Sequence, residues 1–204
     1  MSIIQEKIIS KIQGTAMPKP ANDQNTDDIV PARFLKEITF SKMGNYAYYD
    51  ERFKEGKKIE EHPFNNSKYA SAKILVAGAN YGCGSSREHA PQALKRFGIN
   101  AIIAESFSEI FAGNCASIGL IGITVSKENI SKLIETINEN PKTEFTIDLE
   151  KKKILFNEKE IPFDIIEARR QSFLNGTWDA MAILQKNESK IKELEKKLAY
   201  LQFK

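Results

Sequence analysis

A chain of 204 residues with 41% hydrophobic and 28% charged side chains can build a packed core in one ordinary domain, which excludes global disorder. Its longest near-apolar run, residues 118–125, is eight residues with two glycines, too short to cross a bilayer, so no membrane association is expected. The net charge of +3 belongs to the tail: residues 186–204 hold six lysines and three glutamates, leaving 24 basic against 24 acidic side chains, a balance that argues against nucleic acid as a partner.

The N-terminal "MSIIQEKIISKIQG" mixes acid and base and has no cleavable signal pattern, which points to a cytoplasmic protein. A turn-rich stretch follows over residues 14–28, "GTAMPKPANDQNTDD", and reads as a long loop leading into "IVPARFL". Residues 47–57, "AYYDERFKEGK", read as an amphipathic helix.

Residues 73–79, "KILVAGA", read as a buried strand. A glycine loop, "YGCGSSREHAP", comes next. It leads into a helix with Ala90, Ala93, Leu94 and Phe97 apolar, stopped near Gly98 and Asn100. "AIIAES" (101–106) reads as a second strand, 106–117 as a helix and "LIGITV" (120–125) as a third strand. That alternation predicts a parallel βαβαβ core. Residues 128–138 carry Ile130, Leu133, Ile134 and Ile137 on one helical face. "FTIDL", "KILF" and "EIPFDI" predict a small antiparallel unit, and "EARRQSFLNGTWDAMAIL" two helical segments about an Asn175–Gly176 turn. In the tail Leu184, Ile191 and Leu198 stand seven apart, a short heptad stripe on a helix that either pairs or lies on the body.

Chemistry concentrates in the glycine loop. Gly82 and Gly84 permit positive φ and close backbone approach. Unpaired N–H groups at a helix start bind anions and ease deprotonation of a serine placed there. Arg87 supplies a planar fork of donors suited to a carboxylate or phosphate. A purely structural reading stands beside this one. Ser85 and Glu88 have capping-box spacing, although Pro91 favours a helix that begins nearer Glu88. Gly82-x-Gly84 with Glu105 on the next strand imitates a dinucleotide fingerprint, but Arg87 occupies the third small position. Ser85 is not within G-x-S-x-G, and His89 is too near in sequence to serve a triad; it orients a neighbour or packs.

Two cysteines, Cys83 and Cys115, and two histidines, His62 and His89, are too few for a closed zinc site or an all-cysteine iron–sulfur site. Any metal chemistry therefore needs a partner to bring the metal, and this chain is expected to bind no cofactor itself.

"YGCGSSREHAPQAL" resembles the signature of the aconitase-type hydro-lyases, in the swivelling domain that closes over the cluster domain. A second family signature lies upstream, roughly D-N-x-D-T-D-x-I-x-P. Here it is "NDQNTDDIVPARFL" (22–35): Thr26, Asp27, Ile29 and Pro31 match, while Asn22, Asp23 and Asn25 depart. With "IIAESFSEIFAGNC" and "ARRQSFLNGTWDAMAIL", the resemblance covers about residues 8–185, and its length is that of the small-subunit family of isopropylmalate isomerases.

The resemblance implies an α/β fold: a single swivelling β/β/α domain over residues 1–185 with the βαβαβ core, plus an amphipathic helical tail over 186–204. It implies half of a heteromeric hydro-lyase of leucine biosynthesis, converting 2-isopropylmalate to 3-isopropylmalate by dehydration and rehydration. A 4Fe-4S cluster is expected on the large-subunit partner, and the substrate is a dicarboxylate. Ser85 corresponds to the family's catalytic base, Ser86 and Arg87 to binders of substrate carboxylates, and Thr26 and Asp27 to the matching active-site segment. The loop after Pro31 is where recognition of the isopropyl group is expected. Cys83 is read as a loop filler near the site. The same chemistry on citramalate- or homoaconitate-type acids, or a non-catalytic anion- or RNA-binding module, are the alternatives.

Overall fold

The computed structural model describes residues 7–37, 39–84 and 87–198. Its strands are β1 (Lys11–Lys19), β2 (Phe53–Lys54), β3 (Lys57–Lys58), β4 (Ile74–Ala77), β5 (Ala101–Ala104), β6 (Ile121–Thr124), β7 (Glu144–Asp148), β8 (Lys153–Phe156) and β9 (Lys159–Pro162). Its helices are α1 (Thr26–Ile29), α2 (Tyr49–Arg52), α3 (His89–Phe97), α4 (Glu109–Ser117), α5 (Lys127–Glu139), α6 (Glu167–Leu174), α7 (Ala180–Lys186) and α8 (Glu188–Glu195).

Seven strands form one mixed sheet in the order β6-β5-β4-β1-β7-β8-β9, and β2 and β3 form a separate ribbon. The expected parallel core is present: β4 pairs in parallel with β5, and β5 with β6. The period-two alternation of these strands divides the interior in two. Leu75, Ala77 and Ile102 pack with Ala93 and Leu94 of α3 and Phe111 of α4. Ile74, Val76, Ile103 and Ile123 face the opposite way, onto Ile130, Leu133 and Ile137 of α5.

Residues 11–19 are a strand, which corrects the loop expected from residue 14 onward. β1 joins the two halves of the sheet. Ala16–Lys19 pair in parallel with β4, and Lys11–Thr15 pair antiparallel with β7. The three C-terminal strands are thus antiparallel as expected, but extend the same sheet. Pro18 misled the sequence reading because proline cannot donate to a ladder. It is tolerated because over residues 16–19 only β4 is in register with the strand, so one side of that segment needs no ladder donor.

Residues 47–57 are also corrected. Only Tyr49–Arg52 are helical, and the chain then turns through the β2–β3 hairpin. The tail is two helices meeting at Asn187, whose side-chain amide donates to Ile183 O at 3.0 Å. Leu184 and Ile191 are exposed and Leu198 is half-buried, so the first two members of the stripe do not lie on the body. No helix among the described residues is long and apolar enough to cross a membrane.

Candidate active site

The two sequence signatures meet at the carboxyl end of β4, where ligands bind in open α/β sheets. Their backbones lie side by side. Gly82 N donates to Gln24 O at 2.8 Å, Thr26 N donates to Cys83 O at 2.9 Å, and Asn25 and Cys83 form a parallel bridge. The connection is extended by side chains: Ala79 N donates to Asn22 Oδ1 and Asn80 Nδ2 to Asp23 Oδ1, each at 2.8 Å.

Gly82 and Gly84 have φ of +75° and +89°. At Gly82 a Cβ would lie 2.1 Å from Phe111 Cγ, so the loop can pass over α4 only as glycine. The upstream segment is held by its own cap. Asn25 is the N-cap of α1; its Oδ1 accepts from Asp27 N and Asp28 N, while Asn25 N donates to Asp28 Oδ2 at 2.9 Å. Asparagine caps a helix as well as aspartate does. The departure at residue 25 therefore keeps the segment's architecture.

Arg87 and Asp27 are brought together: Arg87 Nη1 donates to Asp27 Oδ1 at 2.8 Å. Asp27 is exposed and Arg87 half-buried, so the pair faces solvent at the loop's mouth. Thr26 beside them is buried at 3% exposure. Ser85 and Ser86 lie outside the described residues. The helix after the loop begins at His89 with Glu88 as its N-cap, and Glu88 makes no side-chain capping bond. That start is the one Pro91 favoured in the sequence, and the alternative Ser85–Glu88 capping box lies outside the described residues. At the third helical position Pro91 requires no amide partner, whereas a start at Ser86 would have needed one. His89 packs edge-on to Phe40 at 5.2 Å between ring centroids.

Beneath the loop lies a polar cluster that sequence reasoning missed. The hydroxyls of Tyr48 and Tyr81 meet at 2.6 Å, with both residues fully buried. Burial pushes both phenols above their ordinary range, and the shared hydrogen bond raises Tyr48 further while opposing the rise of Tyr81. Lys19 Nζ lies 2.9 Å from Glu51 Oε2 and over the Tyr48 ring. His62 Nε2 lies 3.4 Å from the same carboxylate, without hydrogen-bond geometry. The only sequence signal was a tyrosine in "AYYDERFKEGK" and another at the head of the glycine loop, indistinguishable from ordinary core aromatics.

The segment after Pro31 is a 3-10 turn, Ala32–Lys36, whose Phe34 stacks on Tyr46 at 4.1 Å. Arg33 pairs with Asp50. The cysteines are both free. Cys115 is buried, which pushes its thiol well up, and Cys83 Sγ donates to Asp23 O at 3.3 Å. Among the described residues no three His, Cys, Asp or Glu side chains are grouped to hold a metal ion.

The family model described as the aconitase C-terminal domain matches residues 6–128. The chain belongs to the aconitase C-terminal domain family. Within this family, it is 42% identical over 189 residues to the 3-isopropylmalate dehydratase small subunit of Thermus thermophilus, covering 93% of this chain and 94% of that one. It is 40% identical to the Synechocystis protein of the same name, with 95% of each covered. The crystal structure of 3-isopropylmalate dehydratase from Methanocaldococcus jannaschii superposes with a TM-score of 0.66 at 28% identity, over 90% of this chain and 98% of that one. The aconitase-family α/β fold expected from the signatures is therefore the fold of this chain.

Proposed function

We propose that this chain is the small subunit of a 3-isopropylmalate dehydratase, completing its active site only against a cluster-bearing large subunit. The observation that carries the reading is the meeting of the two signatures, with Arg87 and Asp27 paired at 2.8 Å at an open loop mouth. The chain's own thiols do not suit a cluster. One is fully buried and the other is half-buried against a backbone carbonyl. A 4Fe-4S cluster on the partner would supply Lewis-acid help to the departing hydroxyl.

This chain's part is carboxylate binding and proton transfer. Arg87 offers a fork of donors to a substrate carboxylate, and Asp27 holds that fork in one orientation. Thr26 and Ser86 add hydrogen bonds around the carboxylates. Ser85, as the alkoxide, takes the proton α to a carboxylate and becomes the neutral hydroxyl, while the C–O bond on the neighbouring carbon breaks and the departing hydroxyl takes a proton from solvent to leave as water. Return of that proton and of water in the opposite sense gives the isomer. The aromatic turn after Pro31 is the proposed wall for the isopropyl group. Residues 1–185 form the swivelling unit and 186–204 an amphipathic helical tail outside it.

The test is turnover of 2-isopropylmalate by this chain mixed anaerobically with reconstituted large subunit, against each component alone and with citramalate and homoaconitate in parallel. Activity only in the mixture, lost by about a hundredfold or more in Ser85→Ala, is expected. Activity of the mixture on another acid alone would move the substrate. Unchanged activity of Ser85→Ala would remove the base assignment.

A further inference from the structure

We propose that a cleft at the carboxyl ends of β5 and β6 is the seat for a basic, apolar-flanked segment of the partner subunit. The proposal rests on the small-subunit reading above. The cleft has a volume of about 450 Å³ and lies between the start of α4 and the start of α6. Three carboxylates line it, Glu105, Glu109 and Asp164, against one cation, Arg169. That cation is already engaged, with Arg169 Nη2 donating to Glu109 Oε1 at 2.6 Å. The unmatched charge is negative, which opposes a dicarboxylate ligand and favours a lysine or arginine.

The apolar rim is the second observation. Between residues 9 and 180, the exposed large hydrophobic side chains among the described residues are Ile110, 58% exposed, and Ile166, 48% exposed. Ile166 lines the cleft, and Ile110 follows Glu109, which lines it. Ile166 is thus left in water on the cleft wall beside carboxylates that one cation does not balance, with Ile110 exposed on the neighbouring α4, a combination of apolar and charged surface found at subunit interfaces.

Position selects the partner. The cleft wall and the glycine loop are one hydrogen-bonded piece. Asn80 N donates to Ser106 Oγ at 2.8 Å, Tyr81 N donates to Ser106 O at 3.0 Å, and Ser108 N donates to Tyr81 O at 3.0 Å. A subunit that brings its groups over Arg87 and Asp27 must cross this same edge of the sheet. The far wall is equally fixed, because Asp164 pairs through its backbone with Thr124 of β6. The seat is therefore preformed, and the partner pays little to order it.

The experiment titrates the intact chain with reconstituted large subunit under anaerobic conditions, reading the dissociation constant and turnover against partner concentration. Ile110→Asp with Ile166→Asp, and separately Asp164→Lys, are each expected to weaken binding by about tenfold or more. Turnover at saturating partner should stay within about twofold of the parent. Glu135→Lys on the exposed face of α5, outside the cleft lining, should change neither. Melting curves check that each variant folds. Hydrogen exchange on the parent gives a second reading, with protection by the partner expected at residues 105–110 and 164–169. Parental affinity in the cleft variants, or no protection there, would overturn the proposal. So would loss of self-association alone, since that would assign the cleft to a second copy. Failure of the parent chain to bind the large subunit would instead remove the small-subunit reading itself.

Discussion

Arg87 and Asp27, 60 residues apart in sequence, meet at 2.8 Å where the two signature segments run side by side. The pair is largely open to solvent, so its contribution to stability is small, below about 1 kcal/mol. On the proposed function, the pair aims the guanidinium. Asp27→Asn and Arg87→Lys should each lower turnover of the assembled enzyme by about tenfold or more. Melting temperatures should stay within a few degrees of the parent. A variant that loses stability and activity together would point to a structural pair.

The hydroxyl contact between Tyr48 and Tyr81 sits in the dry core, at 2.6 Å. Tyr48 N donates to Ile29 O at 2.7 Å, so the contact links the end of α1 to the start of the glycine loop. Removing one hydroxyl leaves the other buried without a partner. Tyr48→Phe or Tyr81→Phe alone should cost about 1–3 kcal/mol. The double variant should recover part of that loss, because no unpaired hydroxyl remains. Urea unfolding of the three variants decides this, and additive losses would refute the coupling.

The two thiols should differ in reactivity. Cys115 is fully buried and its thiol is pushed well up by that burial, whereas Cys83 is half-buried at the loop. Alkylation of the native chain should label Cys83 alone, with Cys115 labelled only after unfolding. Mass spectrometry of the digested protein reads the result. Assembly with the large subunit should slow labelling of Cys83.

Glu51 gives a pH dependence. The contact with His62 holds its carboxyl below the usual range; desolvation opposes this, and Lys19 adds to it. A carboxylate depressed in the folded state stabilises the protein above its unfolded value, about 4.3, and this contribution disappears as pH falls through the folded value. Glu51→Gln should therefore melt below the parent at neutral pH, with the gap closing below about pH 4. A gap that stays constant down to pH 3 would show that the charge contributes nothing.

Much of the fold could be read from local pattern. The apolar runs that became β4, β5 and β6, and the amphipathic α3 and α5, are written in period and punctuation. Local rules decide such elements because each keeps an apolar face buried along its whole length. β1 could not be read this way. Its residues are polar on one half and interrupted by Pro18, and they form a strand only because β4 and β7 lie on either side. The four-residue α2 is likewise set by contacts, since its length is below what propensity alone sustains.

The same division holds at the site. The sequence alone determined the two motifs, their order, and the residue types Thr26, Asp27 and Arg87 within them. It also determined that the chain has two cysteines, too few for an all-cysteine cluster. Only the tertiary structure decided that Asp27 reaches Arg87, that Asn25, a departure from the family pattern, caps the segment, and that a tyrosine pair lies beneath. These are contacts between residues distant in the chain. No local pattern encodes them, because each depends on strands brought into register and on a backbone that passes where only glycine fits.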